Sequence, residues 1–265
     1  MGKNMSLLEQ SYISFVNMDH RQDRLVRMQA SLERAGIRAP RTRGMLPQEY
    51  SGDPARVEVM RKRTPGAIGC HFSQVKIMAE ALNRRKHAFV MEDDLVFCSD
   101  FQKRIAYIEK FTATHDWDII WLGGTFHINP PYWDIKRRKR EDRMLSIPNG
   151  RDAELTDDPR MIKTYGCFCT YAYIVRDCRI GKVLAGLDRV LDRSMGIDWA
   201  MIENQPQWQT FAFVPGCICQ YDNKSDIGNG VTYFSGFAKL GPYWFQDRME
   251  QFDPAKFNWH EARKK

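Results

Sequence analysis

The chain has 265 residues, 43% hydrophobic and 28% charged, enough for one sizeable core and unlike a disordered, fibrous or disulfide-stapled protein. No apolar run approaches the ~18 residues of a membrane span, and residues 1–10 lack the apolar stretch of a signal peptide, so a soluble, cytoplasmic protein with no transmembrane segment is expected. The net charge of +7 asks for an anionic partner, whether nucleotide, nucleic acid, phosphorylated glycan or membrane surface.

Residues 12–16 are apolar and β-prone and predict a buried strand. Leu25, Met28 and Leu32 recur at helical spacing over residues 23–35, and Gly36 stops that helix. Residues 37–45 predict a second strand and turn, so the chain opens strand–helix–strand, as parallel α/β sheets do. After a polar connection, residues 67–84 predict a helix, residues 87–91 a buried strand and residues 101–112 another helix. A third strand over 118–122 is expected to stop at Gly123-Gly124. Residues 125–163 lack periodicity and carry Pro130-Pro131 and a basic run, which predicts a long loop insertion. Strand pattern returns over 166–175 and 209–214, with helices over 180–191 and from 197. The aromatic and basic tail, 231–265, reads as an extension packed on a domain of residues 1–230. Cys167/Cys169 and Cys217/Cys219 lie in strand-like sequence; buried small hydrophobes are the plainer reading, and the spacing is not that of a usual zinc site.

The sharpest local feature is Val90-Met91-Glu92-Asp93-Asp94, three carboxylates directly after an apolar strand. Clustered carboxylates repel one another. They are tolerated at the carboxyl edge of a sheet, where α/β proteins bind ligands, facing solvent or a Mg²⁺ or Mn²⁺ ion. An exposed acidic turn is the competing reading. Residues 17–24, Asn-Met-Asp-His-Arg-Gln-Asp-Arg, also follow a strand and open a helix. A helix N-terminus with Arg21 and Arg24 suits phosphates, although a capped helix start with solvated arginines uses the same residues. Gly66, Gly69 and Ser73 open a further helix, where small residues admit either a ligand or another helix closely.

Taken in order, these pieces resemble glycosyltransferase family 25, which includes bacterial lipooligosaccharide galactosyltransferases and collagen hydroxylysine galactosyltransferases. The likeness rests on Ile13-Ser14-Phe15-Val16-Asn17-Met18-Asp19 with Arg21, Asp23 and Arg24; on Gly66-Ala67-Ile68-Gly69-Cys70 with Ser73; and on Phe89-Val90-Met91-Glu92-Asp93-Asp94. Trp117-Asp118, Tyr171-Ala172-Tyr173-Ile174-Val175, Ile197-Asp198-Trp199 and Ser225-Asp226-Ile227 extend it over residues 12–228. Gln74 departs from the histidine that often follows the serine in the family, and residues 125–163 and the tail fall outside the likeness.

The resemblance implies a GT-A-like, Rossmann-type α/β fold with a mixed, mostly parallel sheet flanked by helices. It implies a metal-dependent, inverting transfer of a hexose, galactose or glucose, from a UDP-sugar to an acceptor hydroxyl. Glu92 and Asp94, with Asp226, would hold Mn²⁺ or Mg²⁺. Asn17, Asp19, Arg21, Arg24, Gly66, Gly69, Ser73, Asp93 and Gln220 would line the donor site. Asp198 would be the base, although an acidic residue there could equally cap a helix.

Two acceptors fit this chemistry. One is a hydroxyl on a bacterial surface glycan such as lipooligosaccharide, which the family favours; the other is a hydroxymethylated or otherwise modified base in phage DNA. In both, Lys136, Arg137, Arg138, Lys139 and Arg140 would contact acceptor phosphates, at the inner face of the membrane or in a host cytoplasm. A non-catalytic nucleic-acid-binding protein on the same fold is a third reading, opposed by the intact acidic cluster and Asp198. Charge is unevenly placed: residues 1–65 hold 12 basic against 7 acidic residues, and residues 136–150 hold 6 against 2. The segments bearing the acidic cluster and Asp198 are net negative, as a cation site requires.

Overall fold

The computed structural model describes residues 5–50, 58, 65–126, 153–191, 196–221 and 249. Strand β1 (Ser11–Asn17) leads into helix α1 (Gln22–Ala35), which buries Met28 and Leu32 on its apolar face. Gly36 ends the helix at φ 68°, and the Gly36 and Ile37 N–H groups close back on the Glu33 and Leu32 carbonyls. Glycine makes that left-handed turn without a Cβ clash. Strand β2 (Arg41–Arg43), helix α2 (Pro65–Asn83), strands β3 (His87–Met91) and β4 (Leu95–Phe97) and helix α3 (Phe101–Thr114) follow. Then come strands β5 (Ile119–Phe126), β6 (Ala153–Leu155), β7 (Met161–Thr164) and β8 (Cys167–Val175). Helices α4 (Ile180–Val190) and α5 (Ile197–Asn204) precede strands β9 (Thr210–Phe213) and β10 (Ile218–Gln220).

The main sheet has the order β2-β1-β3-β8-β5-β9-β7-β6. Strands β2, β1, β3, β5, β9 and β6 run one way, and β8 and β7 run against them. The α/β class read from the sequence is therefore the observed one, a mixed sheet in which most strands share a direction. Every residue of β3 is buried, because the sheet is covered on both faces. Phe89 and Met91 pack with Met28 and Leu32 of α1 and with Ile105 and Ile108 of α3. Ala88 and Val90 pack with Ile77 and Met78 of α2, Val183 and Leu187 of α4, and Ala200 and Met201 of α5. Alternation of side chains along a strand divides one apolar run between two cores. Each buried Phe, Val or Met contributes roughly 1.5–3 kcal/mol, which offsets the cost of the carboxylates at the strand's end. Cys98, Cys167 and Cys217 are buried in these cores as small apolar groups. Among the described residues, no helix is long and apolar enough to cross a membrane.

Two expectations need correction. Strand β5 does not stop at Gly123-Gly124 but runs through both to Phe126. A Cβ at Gly123 would collide with the Ile218 carbonyl oxygen and the Tyr171 ring. That glycine serves a close approach of β10 and β8, not a chain break. The region 125–163 is not all loop: it supplies the end of β5 and two strands, β6 and β7, that extend the sheet beyond β9. Strands of three or four residues are too short to show alternation against their neighbours. In addition, β4 and β10 form a separate antiparallel pair that local sequence pattern does not reveal. Lys136 to Arg140, Asp226 and, apart from Met249, the 231–265 tail lie outside the described residues. The Met249 N–H donates to Asp100 Oδ2 at 2.8 Å.

Gly123→Ala is expected to destabilise the fold by about 1–3 kcal/mol, because a backbone carbonyl is among the atoms that must move. A urea titration of the variant against the wild type measures this.

Candidate active site

Strands β1 and β3 are parallel neighbours, so their carboxyl ends, Asn17 and Glu92-Asp93-Asp94, share one edge of the sheet. The antiparallel β8 brings its early residues to the same edge, and the Glu92 N–H donates to the Tyr171 carbonyl at 2.9 Å. Cys169 there takes φ 61°, a left-handed conformation that costs a non-glycine residue of order 1–3 kcal/mol. The next residue, Thr170, meets the start of α5: its N–H and hydroxyl both donate to Asp198 Oδ1, at 3.2 and 2.6 Å. Pairing of β10 with β4 carries Gln220 opposite Leu95 and over the acidic cluster. Gln220 Nε2 lies 3.3 Å from Glu92 Oε2 and 3.2 Å from Asp94 Oδ1.

The three carboxylates are treated differently. Asp93 has both oxygens engaged: Asn17 Nδ2 donates to Oδ2 at 2.7 Å and Arg24 Nη1 to Oδ1 at 2.8 Å. Arg24 Nη1 also stands 3.4 Å from Asp94 Oδ2. Glu92 and Asp94 face one another across the Gln220 amide. Glu92 and Asp198 keep some exposed surface as residues, yet burial of the carboxyl pushes both up. For Glu92, the charges of Asp94, Asp198 and Asp93 add to burial and take it well above the usual carboxylate range. For Asp198, the two Thr170 bonds and the Cys169 backbone pull the other way. The Cys70 thiol is also pushed well up, by burial and then by Glu92 and Asp198.

The Gln220 nitrogen marks a position between an oxygen of Glu92 and one of Asp94, which a cation held by the pair would have to take over from the amide. Hard oxygen donors carrying surplus negative charge suit Mg²⁺ or Mn²⁺. Among the described residues, no group of three or more His, Cys, Asp or Glu side chains is arranged to hold a metal ion, so Glu92 and Asp94 form a pair.

Of the residues picked from the sequence, Asn17, Arg24, Glu92, Asp93, Asp94, Asp198 and Gln220 come together here. Asp198 is not a helix cap: Gly196 stands at the cap position and the Asp198 side chain turns to Thr170. Arg21 forks onto Asp23, with Nε and Nη2 each 3.0 Å from a carboxylate oxygen. Asp19 is exposed on the rim, held by Arg41 and by Arg43 at 2.8 Å. These arginines hold the Asp19 carboxyl below its usual range. Ser73 Oγ accepts from the Met45 N–H at 2.7 Å and donates to the Gly69 carbonyl at 2.6 Å, tying the β2 turn to α2. Gly66 and Gly69 lie in the first turns of that helix. Sequence reasoning missed Gln74, Thr170, Arg41 and Arg43 as site residues. The departure at Gln74 was the one available signal.

Arg24→Ala leaves Asp93 and its neighbour Asp94 without their buried guanidinium and is expected to cost about 3–5 kcal/mol in chemical unfolding. Glu92→Gln should act oppositely. A carboxyl whose pKa is raised on folding loses stability as pH rises above its unfolded value, so ionised Glu92 weakens the fold at neutral pH. In EDTA at neutral pH the variant is expected to be more stable by about 1 kcal/mol. That gain should fade as pH falls, because the folded wild-type carboxyl takes up its proton first, and should be gone near ~4.3, where the unfolded chain's carboxyl is protonated as well. Thermal melts across pH check both signs.

No curated protein matches the chain by sequence. Residues 10–175, more than half of the chain, match the profile of glycosyltransferase family 25, described as an LPS biosynthesis protein. The matched span holds the whole acidic cluster, both ends of the Asn17–Arg24 segment and Thr170, and the helix-flanked sheet is the GT-A-like arrangement expected of such an enzyme. By this match and this architecture, the chain belongs to glycosyltransferase family 25.

Proposed function

We propose that this glycosyltransferase moves a hexose, galactose or glucose, from a UDP-sugar to an acceptor hydroxyl with inversion, using Mn²⁺ or Mg²⁺ held by Glu92 and Asp94. The observation that carries this reading is the placement of a carboxylate pair and a separate, buried Asp198 carboxyl at one sheet edge, linked through Thr170 and Gln74. A cation bound by the pair would offset charge on the departing diphosphate.

The chain's own residues supply the rest. Thr170 fixes Asp198 Oδ1, and Oδ2 takes the acceptor proton. The acceptor oxygen forms its bond to the anomeric carbon as the bond to the UDP oxygen breaks on the opposite face. Burial makes Asp198 a stronger base than an exposed aspartate, while the Thr170 bonds favour its ionised form. Arg24 and Asn17 brace the cluster through Asp93, so the donor-facing carboxylates keep their positions when UDP leaves. Asp19, Arg21, Arg41 and Arg43 form a polar rim beside β1 and β2 that suits the nucleotide. The acceptor we favour is a bacterial surface glycan, in line with the family description. The basic run Lys136 to Arg140 would meet its phosphates from the cytoplasmic side of the membrane.

The test is UDP release from UDP-galactose and UDP-glucose with Mn²⁺, alone and with lipooligosaccharide core or hydroxymethylated DNA. Release stimulated by the glycan is expected, falling at least ~10²-fold in Asp198→Asn and also falling in Glu92→Gln. No release from either donor overturns the UDP-hexose reading, and stimulation by DNA alone reassigns the acceptor.

A further inference from the structure

Gln74 lies on the sheet-facing side of α2 and has no exposed surface. A buried amide has an oxygen and two N–H groups to satisfy. The oxygen accepts from the Tyr173 hydroxyl at 2.9 Å. The nitrogen lies 3.2 Å from Glu92 Oε1 and 3.3 Å from Thr170 Oγ1, with Cys70 Sγ at 3.4 Å. The Thr170 hydroxyl in turn donates to Asp198 Oδ1 at 2.6 Å.

The direction of each bond is fixed by chemistry. An ionised Asp198 only accepts, so the Thr170 proton is committed to it and the Thr170 oxygen must receive from Gln74. Gln74 Oε1 cannot donate, so Tyr173 must. Tyr173, Gln74, Thr170 and Asp198 therefore form a row of bonds pointing the same way, and bonds in such a row polarise one another. The second Gln74 proton is left for Glu92. Since Gln220 binds the other Glu92 oxygen, that carboxylate is clamped between two amides.

We propose that Gln74 is a positioning residue for the transfer reaction: one amide sets the spacing and orientation of Glu92, which would face the cation, relative to Asp198, which would take the acceptor proton. This role depends on the site being the metal-dependent transferase centre described above. The side-chain type fits the task. A carboxylate at this position would add another negative charge to a crowded cluster. A lysine would compete with the cation, and an apolar residue would strand the Tyr173 hydroxyl and leave Glu92 free to turn. A neutral amide with two donors holds both carboxylates without doing any of these.

The test uses full-length protein carrying Gln74→Met, Thr170→Val or both, with Mn²⁺ affinity measured by calorimetry on nucleotide-free protein and steady-state kinetics measured with UDP-sugar. Gln74→Met is expected to weaken Mn²⁺ about tenfold and to lower kcat by at least about tenfold, with the donor KM moving less than about threefold. Thr170 reaches Glu92 through Gln74, so Thr170→Val should weaken Mn²⁺ about twofold to threefold on its own and have no further effect when combined with Gln74→Met. If Gln74→Met does not fold, Gln74→Glu keeps the volume and the Tyr173 bond. Its added charge should tighten Mn²⁺ while kcat stays at least about tenfold low. Wild-type kcat and Mn²⁺ affinity in the Gln74 variants, or an additive cycle, in a protein that Asp198→Asn inactivates, overturn the positioning role and leave the transferase reading standing. A wild type that neither binds Mn²⁺ nor releases UDP overturns both together.

Discussion

Three consecutive carboxylates at the end of a strand buried on both faces are the constraint around which this protein is arranged. The apolar run of β3 fixes where they must sit, and their mutual repulsion dictates what must surround them. The solution is division of labour. Asp93, the middle one, is ion-paired with Arg24 and hydrogen-bonded by Asn17, and becomes a brace between α1 and the sheet. Glu92 is instead met by the Gln74 and Gln220 amides, which hydrogen-bond a carboxylate without cancelling its charge, while Asp94 shares Gln220 and stands 3.4 Å from Arg24. Negative charge is thus left least compensated on Glu92, beside the position of the Gln220 nitrogen.

Much of the scaffold was legible because it follows from periodicity. The helical spacing of Leu25, Met28 and Leu32, the uninterrupted apolar run of 87–91 and Gly36 as a stop signal each correspond to an observed feature. The acidic cluster was equally plain, since three carboxylates after a buried strand have few places to go. What could not be read was how the three differ, because that depends on partners far away in the chain: Arg24 is 69 residues from Asp93 and Asn17 is 76. The roles of Gln74 and Thr170 could not be read for another reason, although Gln74 stood out as a departure from the family pattern. A glutamine in a helix and a threonine in a strand have no unusual local signature, and they acquire a role where α2, β3, β8 and α5 meet. The three-residue strands β4 and β10 carry too little pattern to be seen, although they place Gln220.

The distribution of charge also looks different once the contacts are known. The first 65 residues are rich in arginine, which on sequence grounds suggested a surplus directed at phosphate. Arg21, Arg24, Arg41 and Arg43 each have an acidic partner: Asp23, Asp93 with Asp94, Asp19, and Asp19 with Glu49. These arginines are organising residues first. A phosphate arriving at the rim would meet guanidinium groups already oriented by carboxylates, and would compete with those carboxylates rather than fill an open positive patch. Pre-set orientation reduces the side-chain entropy lost on binding, while competition from the carboxylates weakens it, a balance that would suit the proposed release of a diphosphate.

The pairing of β10 with β4 has a consequence for how the molecule is made. Glu92 and Gln220 are 128 residues apart, and Leu95 is built into its ladder by a strand that emerges late from the ribosome. Throughout that interval the acidic cluster has its brace from α1, which is synthesised earlier, but not its cover. Water can solvate Glu92 and Asp94 until β10 docks, so the electrostatic penalty of the site is deferred until most of the apolar core is available to bear it. The sheet can be assembled before the chemistry is, and β10, the last strand among the described residues, turns a solvated acidic edge into a covered one.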